Sequence, residues 1–273
     1  MVEPQPLATQ VRELLKEHEV ENRAQLVDKL STIAVDLMEK QYGPESKKFK
    51  PYHNQEHVKL VLNYLEKIAK KANISEQDQQ LLKLALAWHD IDSETPELAE
   101  FKSAEVIALI MQQTGFSGNE IQDVIDIVLA TRYYFKDGIM HQSVEPENEE
   151  QAADTRIQLL KSIAADADMY NLGVDWILYT QEARKYAQEL GKLPRDRQPT
   201  IEEERDFWIW QDNFFTGFAK RGYYTEAAKT IYDQFEINRS KVAENRDYFE
   251  AQAAEKTGNT KPYRVTISQP SPA

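Results

Sequence analysis

The chain contains no cysteine in 273 residues. Disulfides, thiolate metal sites and cysteine nucleophiles are therefore excluded, and any metal must be held by nitrogen and oxygen. Glycine is sparse, with nine residues, and alternating β-branched runs are few, which points away from sheet. No apolar run approaches the roughly 18 residues of a membrane span. The opening MVEPQPLATQ has neither the basic start nor the apolar stretch of a secretory signal, so a cytoplasmic protein is expected. Positive charge is also short: 33 Lys and Arg face 46 Asp and Glu, a net charge of -13. That balance disfavours broad contact with nucleic acid or anionic membrane, and leaves room only for a small anion met by local positive charge. There are five histidines, and two of them stand four residues apart in KPYHNQEH, residues 50–57.

Apolar residues recur at helical spacing along nearly the whole chain, which predicts an all-α protein. Ser75 with Asp78, Ser117 with Glu120 and Thr200 with Glu203 fit the capping-box pattern and predict helices starting near 76, 118 and 201. Further helices are expected at about 7–18, 22–41, 54–72, 101–114, 151–167, 174–190 and 224–250. No fixed-period repeat or long linker divides them, so residues 1–253 are read as one helical domain. Residues 133–150 read as an irregular loop. The tail 254–273 reads as flexible, with YRVTI within it able to pair as a short strand.

The polar residues acquire meaning from the helix faces they occupy. In the helix near Asn54, Val58, Val61, Leu62, Leu65, Ile68 and Ala69 form the inward stripe, and His57 and His53 continue it one and two turns earlier. In LALAWHDID, residues 84–92, His89 extends the row Leu81–Ala85 and Asp90 the row Leu82–Leu86. A histidine and a carboxylate thus arrive together at the end of an almost wholly apolar helix, where an unpaired charge is costly. In KSIAADADMYNLG, residues 161–173, Asp168 continues the apolar row Leu160–Ala164, whereas Asp166 falls on the polar row Gln158–Ser162 and is expected in solvent or supporting a ligand. His57, His89, Asp90 and Asp168 offer two nitrogens and two carboxylates for one divalent ion, or two: Mn, Fe, Co, Ni, Zn or Mg. Such an ion activates water and polarises a phosphoryl oxygen. His53, beside the ion without being required as a ligand, is the candidate proton donor to a leaving oxygen.

PYHNQEHV at 51–58, WHD at 88–90 and DADMYNLG at 166–173 resemble the HD superfamily of metal-dependent phosphohydrolases, in particular its small predicted-hydrolase branch. The resemblance covers about residues 50–250, including EARKYA at 182–187 and IYDQFEINRSKVAENRDYF at 231–249. It implies an HD-domain-like helical bundle with additional N- and C-terminal helices. It also implies metal ligation by His57, His89, Asp90 and Asp168, and a general-acid role for His53. The chain departs from the branch in two places. AEFKSA at 99–104 keeps only Glu100, Ser103 and Ala104 of an acidic Asn-Glu-Glu and Ser-Ala pattern, and where a histidine often follows Thr-x-x this chain has Thr131-Arg132-Tyr133-Tyr134. The loop residue His141 is either a substitute for that histidine or simply exposed.

The resemblance implies a small phosphorylated substrate, a phosphomonoester or phosphodiester, with nucleotides among the candidates. Lys50, Arg132 and Arg184 are the candidate anion contacts, and Asn54 and Glu100 candidates to orient water or a ligand histidine. Tyr52, Trp88 and Tyr170 flank the three motifs and serve either as core or as walls that stack a base. Two further functions fit the same residues: a non-catalytic metal- or nucleotide-binding regulatory module and, more remotely, an iron-dependent oxygenase. Oligomeric state is left open by this composition.

Overall fold

The computed structural model describes residues 21–95, 98–144 and 154–256, together with positions 9, 11 and 13. Most of the helix expected at 7–18, the acidic half of the 133–150 loop and the YRVTI stretch lie outside these residues. Among the described residues the chain forms ten α-helices and one small hairpin, so the expected all-α class holds.

The helices are α1 (Arg23–Tyr42), α2 (Gln55–Ala72), α3 (Glu76–Trp88), α4 (Ala99–Gln113) and α5 (Gly118–Thr131). The hairpin β1 (Tyr133–Lys136) and β2 (Ile139–Gln142) follows. After it come α6 (Thr155–Asp168), a 3-10 turn (Met169–Gly173), α7 (Trp176–Glu189), α8 (Ile201–Ala219), α9 (Glu226–Ile231) and α10 (Phe235–Lys256). The starts have local chemical causes. Ser117 and Thr200 make complete capping boxes with Glu120 and Glu203, while the Ser75 hydroxyl accepts from the Asp78 amide. Asn54 caps α2, accepting from Glu56 N at 2.8 Å and donating to the carbonyls of Lys50 and Pro51.

The bundle is organised around α3. Its LLKLALAW segment is buried at every position except Lys83, which reaches out to Asp28 at 2.6 Å. Helix α3 packs against α1, α2 and α5, and α6 packs against both α2 and α5. Because the second half of α3 is apolar on nearly every side, it can lie only inside such a ring, and its C-terminal end then opens into the interior. The pair α8 and α10 packs together at one side, with the hairpin against α8.

Two expectations are corrected. The first half of the 133–150 segment is an ordered hairpin in the register Tyr133↔Gln142 to Lys136↔Ile139, turned by Asp137 and Gly138, both left-handed at φ 53° and 67°. Asp-Gly between YYF and IMH is the sequence signal for a two-residue turn of this kind. The helix expected over 224–250 is two helices, broken at Tyr232–Gln234, and the second continues through Lys256. The break lets Tyr232 press on the 3-10 turn, where a Cβ at Gly173 would lie only 2.2 Å from the Tyr232 Cβ.

Helix α10 is strapped to that turn by Asn238, fully buried, whose amide donates to Leu172 O at 3.1 Å and Val174 O at 2.7 Å. Asn238→Ala orphans two buried carbonyls, so urea unfolding should show a loss of about 2–3 kcal/mol.

Candidate metal centre

Three helix ends converge. Helix α2 contributes His57 from its first turn, α3 ends at His89 and Asp90, and α6 ends at Asp168. His57 Nε2 lies 3.3 Å from Asp90 Oδ2 and 3.4 Å from Asp168 Oδ1, and His89 Nε2 lies 3.0 and 3.3 Å from the same two oxygens. His57, His89 and Asp90 are buried, and each offers a ligand atom within 4.8 Å of the others, so this group could hold a metal ion.

The donor set fits a cation on two counts. His89 Nε2 and Asp90 Oδ2 are buried, close and yet without a hydrogen-bond partner, which is costly unless something between them accepts both lone pairs. His89 Nδ1 contacts Leu86 O at 2.8 Å; a carbonyl only accepts, so Nδ1 carries the hydrogen and Nε2 is left free for ligation. The C-terminal ends of α3 and α6 also direct their negative dipole ends toward this point, which favours positive charge there.

Without an ion the cluster balances its own charge. Burial opposes protonation of His57, but contact with Asp168 and Asp90 outweighs it and raises the pKa to about 9. His89 is likewise raised well above its ordinary value against burial, chiefly by the charge of Asp90. Against burial, the charges of His89 and His53 hold Asp90 well below the usual carboxylate range.

His53 lies one helical turn before His57, at the mouth of the site. Its Nδ1 donates to Glu189 Oε1 at 2.6 Å, and Glu189 Oε2 accepts from the amides of Tyr52 and His53 at 3.1 and 3.0 Å. Burial pushes the Glu189 carboxyl up, but the hydrogen bond and charge of His53 win and hold it at about 2. Glu189 has no signature in sequence: it lies 136 residues from His53, at the end of α7, and only packing brings the two together. The EARKYA segment acts through Glu182, which accepts from Tyr170 Oη at 3.2 Å and so braces the turn directly after Asp168.

The remaining candidates divide. Glu100 lines the cavity, with its buried Oε2 unpartnered; burial above all, with Asp90 and Asp168 adding to it, pushes its pKa up. The structure does not bring the three anion candidates into the cavity lining. Lys50 donates to Ser93 O and stands 3.7 Å from Glu189, and Arg184 is held by both oxygens of Glu204 at 2.9 and 2.8 Å. Arg132 lies over the Phe101 ring. Asn54 serves as a helix cap, and His141 stacks on Tyr134 on the hairpin. Trp88 and Tyr170 are fully buried, whereas Tyr52 reaches the cavity wall.

Asp166 is a correction. It is buried rather than solvated, and accepts from Tyr224 N, Thr225 N and Thr225 Oγ1, each at 2.8 Å. Its row looked polar because Gln158 and Ser162 tolerate that face, but the loop before α9 supplies three donors.

The site opens into a cleft of about 640 Å³ counted to its mouth. His53, His89, Asp90, Glu100 and Asp168 form its polar end. Tyr133, Tyr186, Trp210, Gln211 and Phe214 form much of the remainder, and of these only Tyr186 lies in a family-like segment, EARKYA. Comparison with protein-family models and with curated proteins finds no match to this chain. Among the described residues, no helix is long and apolar enough to cross a membrane.

Three outcomes follow. His57→Ala and His89→Ala should each weaken divalent-ion binding by at least about tenfold in isothermal titration. Asp166→Ala should bind the ion normally but lose about 2–4 kcal/mol of stability, because it strands buried backbone donors. Since the protons held by His57, whose pKa is raised to about 9, and by His89, raised well above its ordinary value, must leave before either nitrogen can ligate, apparent affinity should rise with pH from 7 to 9 by at least about tenfold per unit. Calorimetry in buffers of different ionisation enthalpy would register the released protons; no release would contradict ligation by these histidines.

Proposed function

We propose that this chain is a metal-dependent phosphoric ester hydrolase of the HD type, acting on a small phosphomonoester or phosphodiester. One observation carries the reading. The four side chains that the sequence pattern marks as ligands meet within 3.4 Å of one another across His–Asp pairs, with unmet buried lone pairs, at the floor of a cleft. Two nitrogens and two carboxylates suit Mn, Fe, Co, Ni, Zn or Mg, and one ion is the simplest occupancy.

A divalent ion held there supplies Lewis acidity toward a phosphoryl oxygen and lowers the pKa of a water molecule. The chain's own residues do the rest. His53, with Nδ1 committed to Glu189, presents Nε2 as the nitrogen free to give a proton to the departing oxygen. The Glu189 carboxylate accepts from the ring Nδ1 and fixes its orientation, as an acid behind a histidine does in other proton-transfer sites. Asp168, the more exposed of the two carboxylates, faces the cleft together with Asp90, while His57 closes the site from behind. Glu100 stands beside them as an acceptor that can orient water.

Metal analysis of the purified protein, followed by a panel of phosphomonoesters, phosphodiesters and nucleotides with Mn, Mg, Co and Ni, tests the proposal. Turnover should require the ion and vanish in His89→Ala. His53→Ala should keep the ion and lose about 10²–10⁴-fold in kcat. Stoichiometric metal with no turnover across the panel would instead support a non-catalytic metal-binding module.

A further inference from the structure

The cleft is divided by chemistry. Its metal end carries Asp90, Glu100 and Asp168, three carboxylates. Its other end is an aromatic wall: Trp210 and Phe214, one turn apart on α8, with Tyr186 from α7 and Tyr133 from the hairpin. The rings form one continuous surface, Tyr186 against Trp210 at 5.8 Å and Tyr133 against Phe214 at 5.7 Å. Tyr133 and Tyr186 are joined through their hydroxyls at 2.5 Å, so these polar tips are engaged with each other.

Among the described residues, no lysine or arginine lines the cleft. Of the neighbouring cations, Lys50 is committed to Ser93 and Glu189 and Arg184 to Glu204, while Arg132 lies over the Phe101 ring outside the lining. Nor does the sequence place a basic residue at 96–97 or 145–153, the internal stretches outside the described residues.

We infer that the site selects an ester bearing a single phosphoryl group on an uncharged aromatic or apolar body, and rejects a second anionic group on that body. The inference rests on the metal-centre reading above and deepens it to a substrate class. The phosphoryl charge has a counter-charge in the ion. A second phosphate or carboxylate would have to lose its water among ring faces and three acids, with no lysine or arginine among the described lining residues to receive it, and such unpaired burial is a strong basis for rejection. An uncharged ring meets the opposite situation, since it covers apolar surface and can stack.

The test uses the metal-loaded full chain and three esters: phenyl phosphate, 4-carboxyphenyl phosphate and the uncharged methyl ester of the latter. kcat/KM should fall at least about tenfold for the carboxylate relative to its methyl ester, although the two leaving groups are similar in shape. Binding of phenylphosphonate and 4-carboxyphenylphosphonate, measured by titration calorimetry, repeats the comparison without turnover. Trp210→Lys, with Phe214→Arg as a second variant should the first fail to fold, should narrow or reverse the preference. Equal handling of charged and uncharged bodies in both measurements, or no binding of either phosphonate, overturns the inference. Selective phosphonate binding with no ester hydrolysed upholds the recognition and overturns the hydrolysis.

Discussion

Two imidazoles and two carboxylates held together out of water are the constraint on which the rest of this structure depends. A buried carboxylate or imidazolium is expensive alone, and the four groups lie within 3.0–3.4 Å across their His–Asp contacts because none has a better partner. Much of the surrounding architecture keeps them there. Asn54 fixes the start of α2, the Leu86 carbonyl sets the ring of His89, and Glu182 and Asn238 brace the turn that follows Asp168. Asp166, two residues earlier, performs a separate task by binding the loop before α9. Two acids in one short segment thus serve different ends, Asp168 at the candidate metal centre and Asp166 in the scaffold.

The KPYHNQEH stretch shows the same economy. His57 and His53 look equivalent in a helical pattern, yet one is buried against two aspartates and the other sits at the mouth of a cleft with a glutamate behind it. In the proposed hydrolysis this difference separates a ligand from a proton donor. It also explains the position of Lys50, which lies beside Glu189 instead of facing substrate. With the nearby basic side chains paired elsewhere, the inferred selectivity comes from what surrounds the ion rather than from direct contacts to phosphate.

Most helices were legible because their causes are local. Capping boxes at Ser117 and Thr200 and the apolar periodicity of α2 act over a few residues, and the second half of α3 announces its burial by being apolar on nearly every side. The hairpin was also legible in principle, through Asp137-Gly138, but acidic composition beyond it obscured the turn. The break at Tyr232–Gln234 was not, since it answers to the close approach at Gly173 some 60 residues earlier. Arg184 and Lys50 misled for a similar reason: a cation in a motif indicates a partner without saying which, and each found a glutamate on another helix.

By itself the sequence determined an all-α chain and the inward faces that present His53, His57, His89, Asp90 and Asp168. Those are consequences of the 3.6-residue period and hold wherever the helices lie. Only the tertiary structure decided that α2, α3 and α6 end at one point, that Glu189 backs His53, and that Tyr133, Tyr186, Trp210 and Phe214 wall the cleft. Such contacts join residues far apart in the chain, and nothing in the local pattern of either partner specifies the other. They are set by which apolar faces pack together.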